Sequence, residues 1–358
     1  MENKKFNKEG AREIQKMIDR AVEKGDCFTT VTGNWEIEKT ILIPSGFTLI
    51  LENCHLIMVE GTYCNMFTNA NCRTREGRTQ EGKDKDIRIE GRGRVILDGG
   101  QYNGLSERTY NKEDGPHITV NCMLLFANVE GFSISNLHIR NQRYWGMAFY
   151  FCQNGKISNI DFKADCTYVD DHNVKRSVLS REFPLSWVWA ENADGIDIRS
   201  GCHDIIIENI TGFTQDDTIA LTGIYGRGEK LYEVTGCDYD IYNIVVKNIM
   251  SASLFANVRL LNQGGVKLYN VLIDTIVDTS KACPCLTRGS SGVRIGDHNM
   301  YGTRHATSGE TYNITVRNVI SRAISPLNVV CEMKNFTFDN IMSFDTIEEE
   351  ERERIYKG

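Results

Sequence analysis

The sequence predicts an all-β fold, a right-handed single-stranded parallel β-helix with an N-terminal capping α-helix. A pattern of the form apolar-x-apolar-x-Asn-apolar recurs along the 358 residues, and the apolar alternation around each Asn has period two. Period-two alternation indicates short strands, and recurrence at about 20 to 50 residues indicates a solenoid of stacked units. The Asn residues of the pattern are Asn136, Asn159, Asn209, Asn248, Asn270, Asn318 and Asn340.

The spacing of these Asn residues defines the repeat. Successive positions are separated by 23, 50, 39, 22, 48 and 22 residues, which indicates a unit of 22 to 25 residues that is sometimes doubled and once lengthened by an insertion. Leucine-rich repeats have a similar length, but the Leu-x-x-Leu-x-Leu frame that they require is absent. Asn tolerates the left-handed backbone conformation, and stacked Asn side chains can hydrogen-bond along the axis, so an Asn is expected at a bend in each coil.

The first thirty residues differ from the repeats and predict a helix that ends at Gly25. Its apolar face at helical spacing consists of Ala11, Ile14, Met17, Ile18 and Ala21. Such a helix would cover the open end of the coil, where backbone groups are otherwise unpaired. A solenoid grows by adding coils to one continuous core, so residues 1–358 are expected to form a single domain with residues 1–30 as the cap.

Composition excludes some classes of partner. The net charge of −7 argues against binding to nucleic acid or to an anionic membrane surface, and no segment is apolar enough for a transmembrane helix. No apolar segment follows the N-terminus as it would in a signal peptide. The chain is therefore expected to lie in the cytoplasm.

The 12 cysteines are expected to be reduced thiols, because the cytoplasm is a reducing environment. Several of them lie within or beside apolar runs, where a free cysteine behaves as a small hydrophobic residue: Cys54, Cys122, Cys152 and Cys331. The Cys283-Pro284-Cys285 segment lacks the spacing and the partner pair of a zinc site. No metal or cofactor is predicted.

Two acidic motifs contain the candidate catalytic residues. Asn192-Ala193-Asp194-Gly195-Ile196-Asp197 is followed by Gln215-Asp216-Asp217-Thr218, and Asp194 and Asp216 are 22 residues apart, which is one coil. Stacked coils would therefore bring three carboxylates together. Glycoside hydrolysis needs one protonated carboxyl and one ionised carboxylate, and close like charges raise the pKa of at least one of them. The alternative is that these Asp residues merely cap turns, as Asp197 or Asp204 would at a coil corner.

The order of the motifs resembles glycoside hydrolase family 28, the polygalacturonase family, over most of the chain. The matching segments are the amphipathic helix, Ile87–Gly91 with Val95–Gly100, Tyr144-Trp145-Gly146, the two acidic motifs and Gly292-Val293-Arg294-Ile295. The resemblance implies inverting hydrolysis, with Asp216 as general acid and with Asp194 and Asp217 holding and activating water. It also implies a substrate contact for Arg294 and places Asn192 in the binding motif.

The chain departs from the family at two places. Where the family has Gly-His-Gly one coil after the Asp pair, this chain has Ser253-Leu254-Phe255-Ala256-Asn257-Val258-Arg259, and where the family has Ile-Lys after the Arg, it has Ile295-Gly296. Because that Arg and Lys contact a substrate carboxylate in polygalacturonases, either Arg259 replaces the missing cation or the substrate is a neutral sugar. His298 is close enough in sequence to Arg294 to lie at the same rim.

Two insertions are expected to line the cleft. Residues 164–190 include Trp187 and Trp189 directly before the first acidic motif, and residues 224–239 follow the Asp pair. With Trp145, these two Trp residues are candidates for stacking on the apolar faces of sugar rings. Walls on both sides of the site favour exo action on a short oligosaccharide, which could contain a uronate. A pocket of this kind could also belong to a non-catalytic sugar-binding β-helix, or to a polysaccharide lyase or epimerase on the same fold.

Overall fold

The computed structural model describes residues 5–101, 118–164, 167–169, 175–177, 194–279 and 289–343. Two helices and 22 strands lie in these residues. The helices are α1 (Gly10–Glu23) and α2 (Arg227–Tyr232), with short 3-10 turns at Glu76–Arg78 and Ile118–Asn121. The strands are β1 (Phe28–Ile37), β2 (Ile41–Ile43), β3 (Thr48–Met58), β4 (Phe67–Asn69), β5 (Asp84–Arg92), β6 (Ile96–Asp98), β7 (Leu124–Ala127), β8 (Val129–Arg140), β9 (Met147–Tyr150), β10 (Gln153–Lys163), β11 (Thr167–Val169), β12 (Lys175–Ser177), β13 (Ile196–Arg199), β14 (His203–Thr214), β15 (Ile219–Gly223), β16 (Ile241–Ser253), β17 (Ala256–Asn262), β18 (Leu268–Asp278), β19 (Ser291–Ile295), β20 (Thr311–Ser321), β21 (Ser325–Val329) and β22 (Lys334–Ser343).

The strands form the predicted parallel β-helix. The long-strand sheet runs in the order β1-β3-β5-β8-β10-β14-β16-β18-β20-β22, with β6 between β3 and β8. The short-strand sheet runs in the order β2-β4-β7-β9-β13-β15-β17-β19-β21. Neighbouring strands in both sheets are parallel, because each coil of chain lays its strands on those of the coil before. Only β11 and β12, in the first insertion, pair antiparallel among the described strands.

Apolar side chains stack in columns inside the coil. One column follows the strand register through the long-strand sheet, and each member is fully buried: Ile134, Ile157, Ile207, Val246, Ile273 and Val316. Burial of one such side chain stabilises the fold by about 1.5–3 kcal/mol. The alternation of apolar and polar residues in the sequence is therefore the alternation between the inside and the outside of the coil.

The predicted Asn bends are confirmed. The seven repeat Asn residues all adopt the left-handed conformation, with φ between 50° and 60°. Their side chains form a hydrogen-bonded ladder in which Asn159 donates to Asn136 and Asn209 to Asn159, at 2.9 and 3.0 Å. Grouping Asn270 with the other repeat Asn residues is wrong. Its amide donates to Asn243 at 3.0 Å, so Asn270 belongs to a second ladder that runs parallel to the first.

Helix α1 covers the first coil, as predicted. Its buried face contains Ala11, Ile14, Ile18 and Ala21. The Gln15 side chain pairs with the edge of β2, donating to the Leu42 carbonyl and accepting from the Leu42 N–H at 3.2 and 2.8 Å. The Glu38 carboxylate accepts from the N–H groups of Ala11 and Arg12 at the helix start. Within the described part of the chain, no helix is long and apolar enough to cross a membrane.

Candidate active site

Two adjacent short strands bring the acidic motifs together. Asp194 precedes β13, and Asp216 and Asp217 precede β15, which pairs directly with β13. The Gly195 N–H donates to the Asp217 carbonyl at 2.9 Å, so the two motifs meet at the same level of the sheet. A glycine is required at position 195, since a Cβ there would lie 2.6 Å from the Thr218 carbonyl oxygen.

The three predicted carboxylates converge. One oxygen from each of Asp194, Asp216 and Asp217 lies within 4.8 Å of the others. The Asp194 carboxylate accepts from the Asp217 N–H at 2.9 Å, and the Asp217 carboxylate accepts from the Ala256 N–H at 3.0 Å. The hydroxyls of Thr214 and Ser253 donate to the Asp216 carbonyl oxygen, which fixes the turn while the Asp216 side chain remains half-buried.

Burial and charge act differently on the members of this cluster. Burial raises the pKa of Asp194 well above its usual range, and repulsion from Asp197, Asp216 and Asp217 raises it further. Burial also raises the pKa of Asp217, but the Arg259 guanidinium, the Ala256 N–H and Arg294 oppose that rise. The rise in pKa is therefore reinforced by neighbouring carboxylates at Asp194 and opposed by cationic and N–H groups at Asp217.

A pair of arginines lies beside the carboxylates on the next two coils. Arg259 on β17 and Arg294 on β19 are in register, on the outer face of the short-strand sheet. Arg259 Nη1 lies 3.5 Å from Asp217 Oδ2, and its Nη2 donates to Asp297 Oδ2 at 2.5 Å. Arg294 Nη2 donates to Asp297 Oδ1 at 3.1 Å. The Tyr301 ring packs on the Arg259 guanidinium at 5.3 Å.

A second set of buried charges lies on β13. Asp197 is fully buried in the outward-facing row of the sheet, not at a coil corner, which corrects the turn-capping interpretation of this residue. Its Oδ2 has no hydrogen-bond partner within the described residues, while its Oδ1 lies 3.5 Å from Arg199 Nη1, and the Asp194 carboxyl is a neighbour of the same side chain. Burial raises the pKa of Asp197 to about 7, against the effect of Arg199. A proton shared by Asp194 and Asp197 would satisfy both groups.

The insertion 224–239 packs on the outer face of the short-strand sheet. Arg199 donates through Nε and Nη2 to the buried Glu229 carboxylate of α2, at 3.0 and 2.6 Å. Tyr232, Val234 and Tyr239 belong to an apolar cluster outside the coil, which also contains Cys72, Cys122, Leu125, Ala127, Ala148, Tyr150, Phe151 and Val266. The insertion is thus a packed wall next to the acidic cluster.

Trp145 lies one coil before Asp194, just ahead of β9. The Gly146 N–H donates to the Asp194 carbonyl at 2.8 Å, which ties this turn to the acidic motif. The Trp145 ring stacks on Tyr144 at 5.0 Å, and Arg199 lies over it at 4.8 Å. These contacts hold the half-buried ring in place, and its role in sugar binding stays a prediction.

The remaining predicted residues fall into two groups. His298 is exposed beside Asp297, on the loop that follows β19. Asn192, Trp187 and Trp189 lie outside the described residues.

The three clustered carboxylates are close enough together to hold a metal ion, and Arg259 already provides a positive charge beside one of them.

The family match covers the part of the chain that carries the carboxylate cluster. The sequence model of Glycosyl hydrolases family 28 matches residues 35–239, which include Asp194, Asp216 and Asp217. The chain belongs to glycosyl hydrolases family 28. The match to family 28 ends before Arg259 and Arg294, so the cationic half of the site lies beyond the matched residues. No curated protein sequence matches the chain.

Solved structures resemble this family 28 chain in fold. The tailspike protein of E. coli bacteriophage HK620, as a double mutant, is 14% identical with a TM-score of 0.58 over 94% of this chain and 59% of the tailspike. The same tailspike in complex with a pentasaccharide is 12% identical with a TM-score of 0.54, over the same shares of each chain. An exopolygalacturonase from Thermotoga maritima is 13% identical with a TM-score of 0.47, over 89% of this chain and 71% of that one.

Sequence reasoning missed three residues of the site. Asp297, Arg199 and Glu229 have their partners on other coils or in an insertion, and no local motif points to such partners. One feature of the sequence does point to Asp297. It directly follows Gly296, the position at which the chain departs from the Arg-Ile-Lys pattern of the family.

Proposed function

We propose that this family 28 chain is a glycoside hydrolase that cleaves a glycosidic bond of a short oligosaccharide by inversion and acts from the chain end. The observation that carries the proposal is the convergence of Asp194, Asp216 and Asp217 within 4.8 Å, with a guanidinium beside only part of the cluster. Carboxyl groups in unequal environments can serve as acid and base at one pH.

The proposed roles combine those environments with the roles that the family resemblance implies. Asp216, which is half-buried, donates its proton to the leaving glycosidic oxygen. Water attacks the anomeric carbon, and its proton passes to the pair formed by Asp194 and Asp217. Asp217 supplies the ionised member, because Arg259 and the Ala256 N–H favour its charged form.

The stereochemistry deserves a separate test because the spacing is short. Inverting pairs are typically about 6.5–9.5 Å apart and retaining pairs about 5–5.5 Å, so the 4.8 Å cluster does not itself favour inversion. Inversion rests on the family. NMR of the first product formed shows the anomer directly, and a product with the anomeric configuration of the substrate would overturn this part of the proposal.

The packed insertion 224–239 supports action at a chain end. The helix α2 and the residues that follow it form a wall on the sheet that carries the carboxylates. Product sizes from a ladder of oligosaccharides test this point, since exo action releases one unit of constant size while internal cleavage gives products of several sizes.

The location of the protein in the cytoplasm is also a proposal, and fractionation of cells tests it.

The activity itself is tested on a panel of oligosaccharides. Release of reducing ends is followed beside the absorbance of unsaturated products, with wild type and Asp216→Asn in parallel. Reducing ends without unsaturated products support a hydrolase, unsaturated products indicate a lyase, and sugar binding without either product indicates a binding protein.

A further inference from the structure

We propose that Asp297 is a specificity determinant that makes this site select neutral sugars over uronic acids. The inference deepens the proposed function and rests on it, because it concerns the sugar that the same pocket accepts. It depends on three features: the contacts of Asp297, the backbone at Gly296 and the anchoring of the loop that carries Asp297.

The Asp297 carboxylate fills the anion site between the two arginines. It accepts from Arg259 at 2.5 Å through one oxygen and from Arg294 at 3.1 Å through the other. Two guanidinium groups around one carboxylate form a strong, charge-assisted anion site. The side chains of Arg259 and Arg294 keep 17% and 19% of their surface exposed, so a ligand reaches them while their anion site is filled from within the chain.

The backbone before Asp297 excludes the lysine that family resemblance leads one to expect. Gly296 has a φ of +84°, in the left-handed region that favours glycine. A Cβ at this position would lie 2.5 Å from Cys331 Cβ and 2.9 Å from its backbone nitrogen. The chain therefore has a turn at Gly296 where the family has a lysine. This turn places the Asp297 carboxylate next to Arg259 and Arg294.

The loop that carries Asp297 is anchored to the coil. The Asn299 N–H donates to the Asp297 carboxylate at 3.0 Å. Gln263, which is buried, accepts from the N–H groups of Tyr301 and Gly302 at 2.7 Å and donates to the Asn299 carbonyl at 2.8 Å. Asp297 is thus held by a preorganised loop, and a ligand carboxylate would have to displace it.

The Asp297 carboxylate itself disfavours a second anion at the arginines. Its two oxygens already accept from Arg259 and Arg294, so a uronate carboxylate placed there would face a like charge. The C6 hydroxyl of a neutral hexose can instead donate to the Asp297 carboxylate.

The test compares sugars that differ only at C6. Each pair consists of an oligouronide and its carboxyl-reduced counterpart, which has the same linkage and configuration with a hydroxymethyl group in place of the carboxylate. Calorimetry with the full-length Asp216→Asn chain measures binding without turnover, and the wild-type ratio of kcat/KM values measures hydrolysis. We expect at least about tenfold preference for the neutral member of the accepted pair.

Substitution of Asp297 then identifies the cause. Asp297→Asn, which keeps the shape and removes the charge, is expected to shift the preference toward the uronide by about tenfold or more. Asp339→Asn, the same change at an exposed position on β22, is expected to leave the ratio unchanged. If the melting temperature shows that Asp297→Asn is poorly folded, Asp297→Ala gives the same readout.

The outcomes separate this inference from the proposed function. Neutral preference in binding without release of reducing ends would overturn the hydrolase and support the selectivity. Preferential hydrolysis of uronides would support the hydrolase and overturn the selectivity, as would a ratio that Asp297→Asn leaves unchanged. Binding of neither member of any pair would overturn both.

Discussion

Arg259 Nη1 lies 3.5 Å from Asp217 Oδ2, which gives one carboxylate of the acidic cluster a direct cationic partner. The two residues come from adjacent coils, since Arg259 is on β17 and Asp217 precedes β15. The guanidinium counteracts the rise in pKa that burial imposes on Asp217. The electrostatic difference between Asp217 and Asp194 thus depends in part on a residue 42 positions further along the chain.

The pH dependence of activity tests this relationship. Because the proposed mechanism uses Asp217 in its ionised form, Arg259→Gln is expected to raise its pKa and to move the acid limb of the kcat/KM profile upward by about one pH unit or more. Arg259→Lys keeps the charge and should move it less. An acid limb that stays in place, or moves to lower pH, contradicts the assignment of Asp217.

Loss of the proposed general acid should have the largest effect on turnover. Asp216→Asn would remove the proton donor without changing the size of the side chain, so kcat is expected to fall by about 10²–10⁴-fold. Asp339→Asn, exposed on β22, is the matched control and should retain full activity. Turnover by Asp216→Asn at the wild-type rate would remove Asp216 from the mechanism.

The buried carboxyl of Asp197 predicts an unusual dependence of stability on pH. Its pKa is raised to about 7 in the folded chain, so its contribution is fully present below its unfolded value near 3.8 and is lost as the pH rises through 7. Asp197→Asn should therefore gain stability relative to wild type between pH 4 and 7, by about a few °C in melting temperature.

Asp161 provides the contrast for that measurement. Although burial acts to raise its pKa, hydrogen bonds from Arg140 and Thr211 hold it below the usual value. Its contribution is present above the unfolded pKa and is lost as the pH falls, so Asp161→Asn should be less stable than wild type at neutral pH and approach it in acid. Equal pH dependence for the two variants would contradict the assignment of Asp197.

Adjacent isoleucines on β14 test the inside and the outside of the coil. Ile207 is fully buried in the apolar column, while Ile206 is 39% exposed. Ile207→Ala is expected to lower the free energy of unfolding by about 2–5 kcal/mol, because it leaves a cavity between stacked coils. Ile206→Ala should change it by less than about 0.5 kcal/mol. Denaturant titration measures both, and similar losses would contradict the strand register.

The sequence was sufficient to predict the β-helix, the capping helix and the meeting of the acidic motifs. The apolar alternation and the Asn residues are local, and they act through backbone conformation at each coil. The prediction grouped Asn270 with the wrong row of Asn residues. Two bends of a coil carry the same local pattern, and only the strand pairing distinguishes them.

The cationic part of the site was harder to predict. Arg259 and Arg294 could be named, but the sharing of Asp297 between them depends on the turn at Gly296 and on the anchoring of the loop by Gln263. The pairing of Arg199 with Glu229 depends likewise on where an insertion folds back. Such contacts join segments whose sequence separation carries no periodic signal.

Strand pairing between successive coils has an evolutionary consequence. Neighbouring strands in a sheet are about 4.8 Å apart whatever their side chains, so residues at the start of β13 and β15 inherit their separation from peptide groups. Mutations can therefore accumulate on the outer surface while the spacing of the clustered carboxylates stays constant. Lineages with this architecture can change the loops around the cluster without changing the backbone that positions it.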